Sequence, residues 1–133
     1  MPGSFFDSNV LLYSSSSDEF KADRSEALIA SGGTISVQVL NEVANVARKK
    51  MRLDWATTRR LLEPFRDLLT VVDLTEDIHE RGLALAERHG FALYDSMIVA
   101  AAIAAGCDTL WSEDMHHELV VENTLTIRNP FRD

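Results

Sequence analysis

The stretch YDSMIVAAAIAAGCDTLWSED, residues 94–114, decides the fold class of this chain. Its alanine-rich first part predicts a helix over residues 94–106 that closes at Gly106, and such small side chains allow close packing against a sheet. The letters TLWS, residues 109–112, then predict a short buried strand. A helix that leads directly into a buried strand is typical of a parallel sheet covered by helices.

The same alternation of strand and helix extends through the rest of the chain. Short strands are predicted at SFFDS (4–8), TISV (34–37) and LTVVDL (69–74), with a fifth at LTI (125–127). Helices are predicted over residues 18–30, 38–51, 54–68 (kinked at Pro64) and 75–89. We therefore predict one domain, residues 1–133, of the α/β class: a three-layer α/β/α sandwich with a short, mainly parallel sheet.

Length and composition fit this interpretation. The chain has 133 residues, of which 46% are hydrophobic and 26% are charged, an ordinary mixture for a globular domain. No apolar run approaches the roughly 18 residues that a membrane span needs, and the N-terminus lacks the features of a signal peptide. Cys107 is the only cysteine, which excludes an internal disulfide. We therefore predict a cytoplasmic protein without membrane contact, and a structural role for this thiol.

The charge of the chain is unevenly distributed. The formal net charge of −8 argues against a general affinity for nucleic acid. The segment RKKMRLDWATTRR, residues 48–60, nevertheless holds six basic residues and one acidic residue, a local charge of +5. Two interpretations stay open: a solvated helix face, or an edge that binds phosphates, with Arg48 and Lys49 contacting a substrate.

Acidic residues follow the predicted strands where ligands bind in parallel α/β sheets, outside the carboxyl ends. The acids at this edge are Asp7, Glu42, Asp95, Glu113 and Asp114. Each one alone has an ordinary structural explanation, such as a helix cap, a turn residue or a solvated charge.

Considered together, these acids indicate a metal site. Carboxylates that converge at one edge repel each other, and a divalent cation such as Mg²⁺ relieves this repulsion through oxygen ligands. Such a site suits hydrolysis of a phosphodiester bond. Ser8, Asn9 and Ser112 are then predicted to orient the carboxylates or the waters of the ion.

Four segments carry a resemblance to a known family: FFDSNVLLY (5–13), ISVQVLNEVANVARKK (35–50), YDSMIVAAAIAAGCDTLWSEDM (94–115) and LTIRNPF (125–131). In this order they resemble the PIN domain, and more closely the VapC-type toxins of bacterial toxin–antitoxin pairs. The resemblance implies RNA cleavage with Mg²⁺ or Mn²⁺, a homodimer and an antitoxin that occludes the site. The implied catalytic residues are Asp7, Glu42, Asp95 and Asp114, of which Asp7, Asp95 and Asp114 bind the metal.

We further predict how an antitoxin would meet this chain. Arginine pairs well with carboxylates, so a basic side chain of the partner is expected near Asp7 and Asp95. An apolar helix of the partner is expected over the first two helices. The candidate contacts for that helix are Leu11, Leu12, Val43 and Trp55.

The sequence departs from many relatives after the SED triplet, where MHHEL (115–119) stands in place of an early glycine. This leaves the loop conformation open, and also whether Glu113 assists or replaces Asp114. Adjacent side chains diverge, so His116 and His117 favour a surface loop or a substrate contact over a zinc site. Trp111 is predicted in the core, whereas Trp55 either packs or meets an antitoxin or a base.

Other functions are alternatives to the nuclease. A phosphatase of the haloacid-dehalogenase kind needs a second acid two residues after the first, where this chain has Asn9. A response regulator needs a lysine late in the sheet, but the last lysine here is Lys50. A catalytically weak PIN-like module that binds RNA or protein, and a Mg²⁺-dependent phosphatase, remain as alternatives.

Overall fold

Two helices follow each of the first three short strands, and three further strands end residues 3–132, the part of the chain that the computed structural model describes. The strands are β1 (Ser4–Phe6), β2 (Thr34–Ser36), β3 (Thr70–Val72), β4 (Thr109–Trp111), β5 (Val120–Val121) and β6 (Leu125–Arg128). The helices are α1 (Ser8–Tyr13), α2 (Glu19–Ala30), α3 (Val37–Lys49), α4 (Trp55–Leu68), α5 (Glu76–His89) and α6 (Leu93–Ala104).

The strands form one sheet in the order β3-β2-β1-β4-β6-β5, in which only β5 runs antiparallel to its neighbour. Helices cover the sheet on both sides, so the predicted three-layer α/β/α sandwich with a mainly parallel sheet is confirmed. At the centre of the sheet, Phe6 of β1 lies opposite Trp111 of β4. The residues that follow β1, β2 and β4 therefore emerge together at one edge of the sheet.

The core is formed by the central strands and the helix faces turned toward them. Phe5, Phe6 and Leu110 are fully buried, as expected for central parallel strands covered on both sides. Three alanines of α6, Ala100, Ala101 and Ala102, are buried as well, and this helix packs against α5. At Gly82 a side chain would lie only 2.6 Å from the sulfur of Met97, so the missing side chain allows the close approach of these two helices.

Cys107 is buried, and burial raises the pKa of its thiol, as expected of a cysteine that packs rather than reacts. No helix within residues 3–132 is both long and apolar enough to cross a membrane.

Two elements were absent from the sequence prediction. The strand predicted over residues 4–8 ends at Phe6, and α1 begins at Ser8 because Asp7 caps it. This six-residue helix is too short for a helical period to show in the sequence. The two-residue strand β5, Val120–Val121, is likewise too short to give a pattern. Pro64 lies inside α4, which continues to Leu68.

Part of the predicted antitoxin surface is wrong. Leu11 and Val43 are buried in the core at 1% and 0% exposure and cannot contact a partner. Both face the interior because α1 and α3 pack against each other there. Leu12 is partly buried, whereas Trp55 is largely exposed. Trp111 packs against the core as predicted, and its indole nitrogen donates to Ser4 Oγ at 3.1 Å.

Candidate functional site

Asp7 lies at the centre of a carboxylate cluster, at the junction of β1 and α1. Asp7 is only 3% exposed. As N-cap of α1, its Oδ1 accepts from the backbone nitrogen of Ser8 at 2.7 Å, while Oδ2 accepts from Ser112 Oγ at 2.7 Å. A buried carboxylate needs such partners, because an unpaired one is costly.

The pKa of Asp7 is raised from 3.8 to about 6. Burial is the largest cause, since it disfavours the charged form, and the carboxylates of Glu42 and Asp95 raise the pKa further. The hydrogen bonds from Ser112 and Ser8 act in the opposite direction. Asp7 is therefore held at the site against an electrostatic cost in the metal-free protein.

Ser8 and Asn9, on the first turn of α1, connect Asp7 to two other acids. Ser8 Oγ donates to Glu42 Oε1 at 2.9 Å and lies 3.4 Å from Asp7 Oδ1. Asn9 Nδ2 donates to Asp114 Oδ2 at 3.2 Å and to Asp7 Oδ2 at 3.3 Å. Side chains from the first strand–helix junction thus link α3 on one side with the loop after β4 on the other.

Glu42 is held from both ends of its carboxylate. Oε1 accepts from Ser8, and Oε2 accepts from Gln38 Nε2 at 2.9 Å. Gln38 lies one helical turn before Glu42 on α3, the spacing at which side chains on a helix meet. This orienting residue was missed in the sequence, although the spacing of four residues is a signal that could have revealed it.

Asp95 lies in the first turn of α6 and is partly buried. The N-cap of this helix is Ala92, which makes no side-chain cap hydrogen bond, so the alternative that Asp95 is only a helix cap is excluded. Burial raises the pKa of Asp95, and the carboxylates of Glu42 and Asp114 raise it further. Asp95 therefore shares the electrostatic field of the other three acids.

Glu113 is occupied elsewhere. Its carboxylate contacts Lys21 Nζ at 2.5 Å and accepts from Tyr13 Oη at 2.5 Å. Burial alone would raise the pKa of Glu113, but the hydrogen bonds from Lys21 and Tyr13 lower it below its usual value. The negative charge of Glu113 is thus already compensated, which distinguishes it from Asp114 in the cluster. The partners Lys21 and Tyr13 were not identified from the sequence.

The other predicted residues lie outside the cluster. His116 is exposed, and His117 Nδ1 accepts from the backbone nitrogen of Asn129 at 2.9 Å, so both belong to the irregular segment between β4 and β5. Arg48 and Lys49 lie at the far end of α3 from the acids. The Arg48 guanidinium is 4.0 Å from the ring centre of Trp55, and Nη1 donates to the Leu53 carbonyl at 2.7 Å.

The cluster has the chemistry of a site for a hard cation. Its donors are carboxylate oxygens from Asp7, Glu42, Asp95 and Asp114. Burial raises the pKa values of Asp7 and Asp95 most, and the charges of neighbouring carboxylates raise them further. Within residues 3–132, no three acidic, histidine or cysteine side chains form a ready-made metal cage. Mg²⁺ does not need such a cage, because it usually keeps several waters and binds only one or two protein carboxylates directly. The residues therefore fit a hydrated divalent cation.

Comparison with known proteins agrees with this geometry. The family model of the PIN domain matches residues 4–122. The chain belongs to the PIN domain family. No curated protein sequence gives a significant match.

Solved structures with this PIN fold include components of toxin–antitoxin systems. A toxin–antitoxin complex from Klebsiella pneumoniae matches with a TM-score of 0.72 at 21% identity, over 96% of this chain and 97% of that chain. DNA-bound VapBC from Salmonella typhimurium matches with a TM-score of 0.69 at 21% identity, over 98% of this chain and 99% of the Salmonella chain. VapC20 from Mycobacterium tuberculosis, a toxin that cleaves the sarcin-ricin loop, matches with a TM-score of 0.68 at 16% identity. The match covers 84% of this chain and 89% of VapC20. At these identities the likeness establishes the fold.

Proposed function

We propose that this PIN-domain chain is a divalent-metal-dependent endoribonuclease, the toxin of a VapC-type toxin–antitoxin pair. The observation that carries the proposal is the convergence of acidic side chains at the carboxyl edge of the sheet. Ser8 and Asn9 connect Asp7, Glu42 and Asp114 by hydrogen bonds, and Asp95 lies close enough to Glu42 and Asp114 for their charges to raise its pKa. Similar solved structures that are toxins, one of which cleaves RNA, support the same conclusion.

In this proposal, Asp7, Asp95 and Asp114 hold Mg²⁺ or Mn²⁺. When bound, the ion supplies an acidified water near neutral pH and offsets charge on the scissile phosphate. Ser112 and Asn9 keep the carboxylates of Asp7 and Asp114 in place through their hydrogen bonds.

In the same proposal, Glu42 accepts a proton from the attacking water. Its two carboxylate oxygens are fixed by Ser8 and Gln38, and a general base must be held within hydrogen-bond reach of the proton that it takes. Gln38 is then a positioning residue, because it acts through Glu42.

The protein is proposed to act in the cytoplasm as a homodimer, neutralised by an antitoxin that covers the carboxylate cluster. The partial exposure of Asp95 and the exposure of Asp114 leave the cluster open to such a partner. A basic side chain of the antitoxin would replace the cation as the source of positive charge.

The test is RNA cleavage by the purified protein with Mg²⁺, Mn²⁺ or chelator. Asp114→Asn should reduce the cleavage rate by about a hundredfold or more, the scale for losing an electrostatic contribution to a transition state. Glu113→Gln is the matched control, because the adjacent Glu113 is paired with Lys21; it should retain cleavage. RNA that is bound but never cleaved would indicate the binding module. Release of phosphate from a phosphomonoester with RNA left intact would indicate the phosphatase.

A further inference from the structure

Two exposed aromatic side chains flank the outer face of α3. Trp55, the first residue of α4, and Tyr94, the residue before Asp95, are both 63% exposed. Aromatic residues normally bury most of their surface, so a pair left open on one side of the molecule is informative. Each ring lines one of two cavities along α3, and the cavity at Tyr94 also reaches Glu42 of the carboxylate cluster.

Side-chain amides lie between the two rings. Asn41 and Asn45 are exposed on α3 at a spacing of four residues, and both line two adjoining cavities. One cavity, of about 390 Å³, reaches Tyr94 and the catalytic Glu42. The other, of about 430 Å³, reaches Trp55, Arg48 and Lys49. The surface is therefore continuous from the carboxylates to the basic end of α3.

Positive charge is concentrated at the end of this surface farthest from the acids. Residues 48–60 carry +5 in a chain of net charge −8. The Arg48 guanidinium stacks on Trp55 and is anchored to the Leu53 carbonyl, which orients the ring while leaving most of it exposed. Lys49 is exposed beside it.

We propose that Asn41, Asn45, Arg48 and Lys49, with Tyr94 and Trp55 at either side, form a track for single-stranded RNA leading to the carboxylate cluster. Tyr94 stacks on a base next to the cleaved phosphate, and Trp55 stacks on a base farther along the strand. The asparagine amides contact base edges between them, and Lys49 contacts a phosphate. This inference rests on the proposed function, because the track is useful only if the cluster acts on RNA.

The dimensions fit a short run of nucleotides. Glu42 and Lys49 are seven residues apart on α3, about 10 Å along the helix axis. At a spacing of about 3.4 Å per stacked nucleotide this is about three nucleotides. Exposed aromatic rings bind bases only where the bases are unpaired, so the surface favours single strands over duplexes.

A second copy of this chain suits the same surface less well. The cores of protein interfaces are depleted of lysine and rich in buried apolar area, whereas this track ends in Lys49 and its middle is formed by asparagines. Aromatic rings combined with amides and cations are what a single-stranded nucleic acid needs.

The experiment measures binding of a fluorescein-labelled, random-sequence single-stranded RNA of about 12 nucleotides. Anisotropy is recorded with the full chain in chelator, so that cleavage does not interfere. Trp55→Ala and Tyr94→Ala should each weaken binding about tenfold, as expected for the loss of one stacked base. Trp55→Phe and Tyr94→Phe should restore it. Phe20→Ala is the matched control, because Phe20 is also 63% exposed but lies on α2; it should bind like the wild type.

Tryptophan fluorescence gives a second measurement. The chain has two tryptophans, so Trp111→Phe leaves Trp55 as the only one. Single-stranded RNA should quench its emission, and the same RNA annealed to its complement should quench it less.

Unchanged affinity in both alanine variants would overturn the track. An equal loss in Phe20→Ala would also overturn it. A dimer that dissociates in Trp55→Ala without any loss of RNA affinity would assign the surface to a second copy and overturn it too. Cleavage with Mg²⁺, run in parallel, separates the two proposals: if all variants cleave and bind like the wild type, the track fails alone. If the wild type neither binds nor cleaves RNA, the proposed function fails with it.

Discussion

Asp7 combines two roles that conflict in a metal-free protein. It caps α1 and lies almost fully buried, yet Glu42 and Asp95 oppose its ionisation. The small polar residues beside it, Ser8 and Asn9, offset part of this cost by donating hydrogen bonds within the cluster. At the scale of single residues, the site is therefore a balance between burial, repulsion and hydrogen bonding.

The metal-free protein should lose stability as the pH rises through the titration of Asp7. The folded-state pKa of about 6 lies above the unfolded value of 3.8, so between these values the folded state binds the proton more tightly. Stability is then unaffected below about pH 4, falls as the pH rises, and is lowest above about pH 6. The full difference is about 3 kcal/mol.

Thermal unfolding of the wild type and of Asp7→Asn in chelator, from pH 4 to pH 7, measures this effect. Asn cannot ionise, so the wild type should lose stability relative to the variant as the pH rises. A stability difference that stays constant over this range would contradict the prediction.

Asp95→Asn separates a metal ligand from a purely structural residue. In chelator the variant should be more stable than the wild type, because one of the repelling charges is removed. The gain should be only about 1 kcal/mol, because solvent screens the charge of this partly exposed group. It should also lose most of the stabilisation that Mg²⁺ gives the wild type. Melting curves in chelator and in excess Mg²⁺ decide this. A destabilised variant with a full Mg²⁺ shift would mean that Asp95 serves only the fold.

At the scale of elements, α3 carries three different surfaces. Its inner face, with Val39 and Val43, is buried in the core, Glu42 and Gln38 face the carboxylate cluster, and the C-terminal end carries the basic residues. A single helix thus fixes the distance between the carboxylate cluster and the positive charge. The cations at its C-terminus also interact favourably with the helix dipole.

Lys49→Ala should weaken RNA binding and lower the salt dependence of affinity. A phosphate contact releases a counterion, so losing one should reduce the slope of log affinity against log salt by about 0.7 for a single strand. Arg81→Ala is the control, since Arg81 is exposed on α5 and pairs with Asp77; its slope should match the wild type. Equal slopes for all three proteins would show that the basic segment is only a solvated face.

Arg48 should behave differently from Lys49. Its guanidinium stacks on Trp55 and donates to the Leu53 carbonyl, so Arg48→Ala should also lower the free energy of unfolding by about 1 kcal/mol. Denaturant unfolding of both variants measures this. Equal stability of the two would show that the Arg48 contacts contribute nothing to the fold.

At the scale of the whole molecule, an acidic site lies beside a basic surface, and both are available to the antitoxin that we propose. Asp7 is only 3% exposed, too little for an arginine side chain of a partner to pack against it, whereas Asp95 and Asp114 are accessible. We expect the antitoxin to place an arginine against these two carboxylates. Asp95→Asn should then weaken the complex measured by calorimetry, with Glu113→Gln as the control. A structure of the complex in which the carboxylates remain open to solvent would contradict this.

The sequence by itself determined the fold class and the list of acids. Strongly patterned segments such as the alanine-rich α6 and the apolar β4 carry their structure locally, because side-chain spacing and glycine placement are local properties. The acids could be listed because parallel strands must end at one edge.

Only the tertiary structure decided which neighbours those acids have. Glu113 and Asp114 are adjacent and chemically alike, yet one is paired with Lys21 and the other joins Asp7 through Asn9. The same holds for Leu11 and Leu12, of which only Leu11 is fully buried. The contact from Asn9 to Asp114 joins residues 105 positions apart in the sequence. It forms only when the sheet brings β1 and β4 together, so no local sequence pattern can predict it.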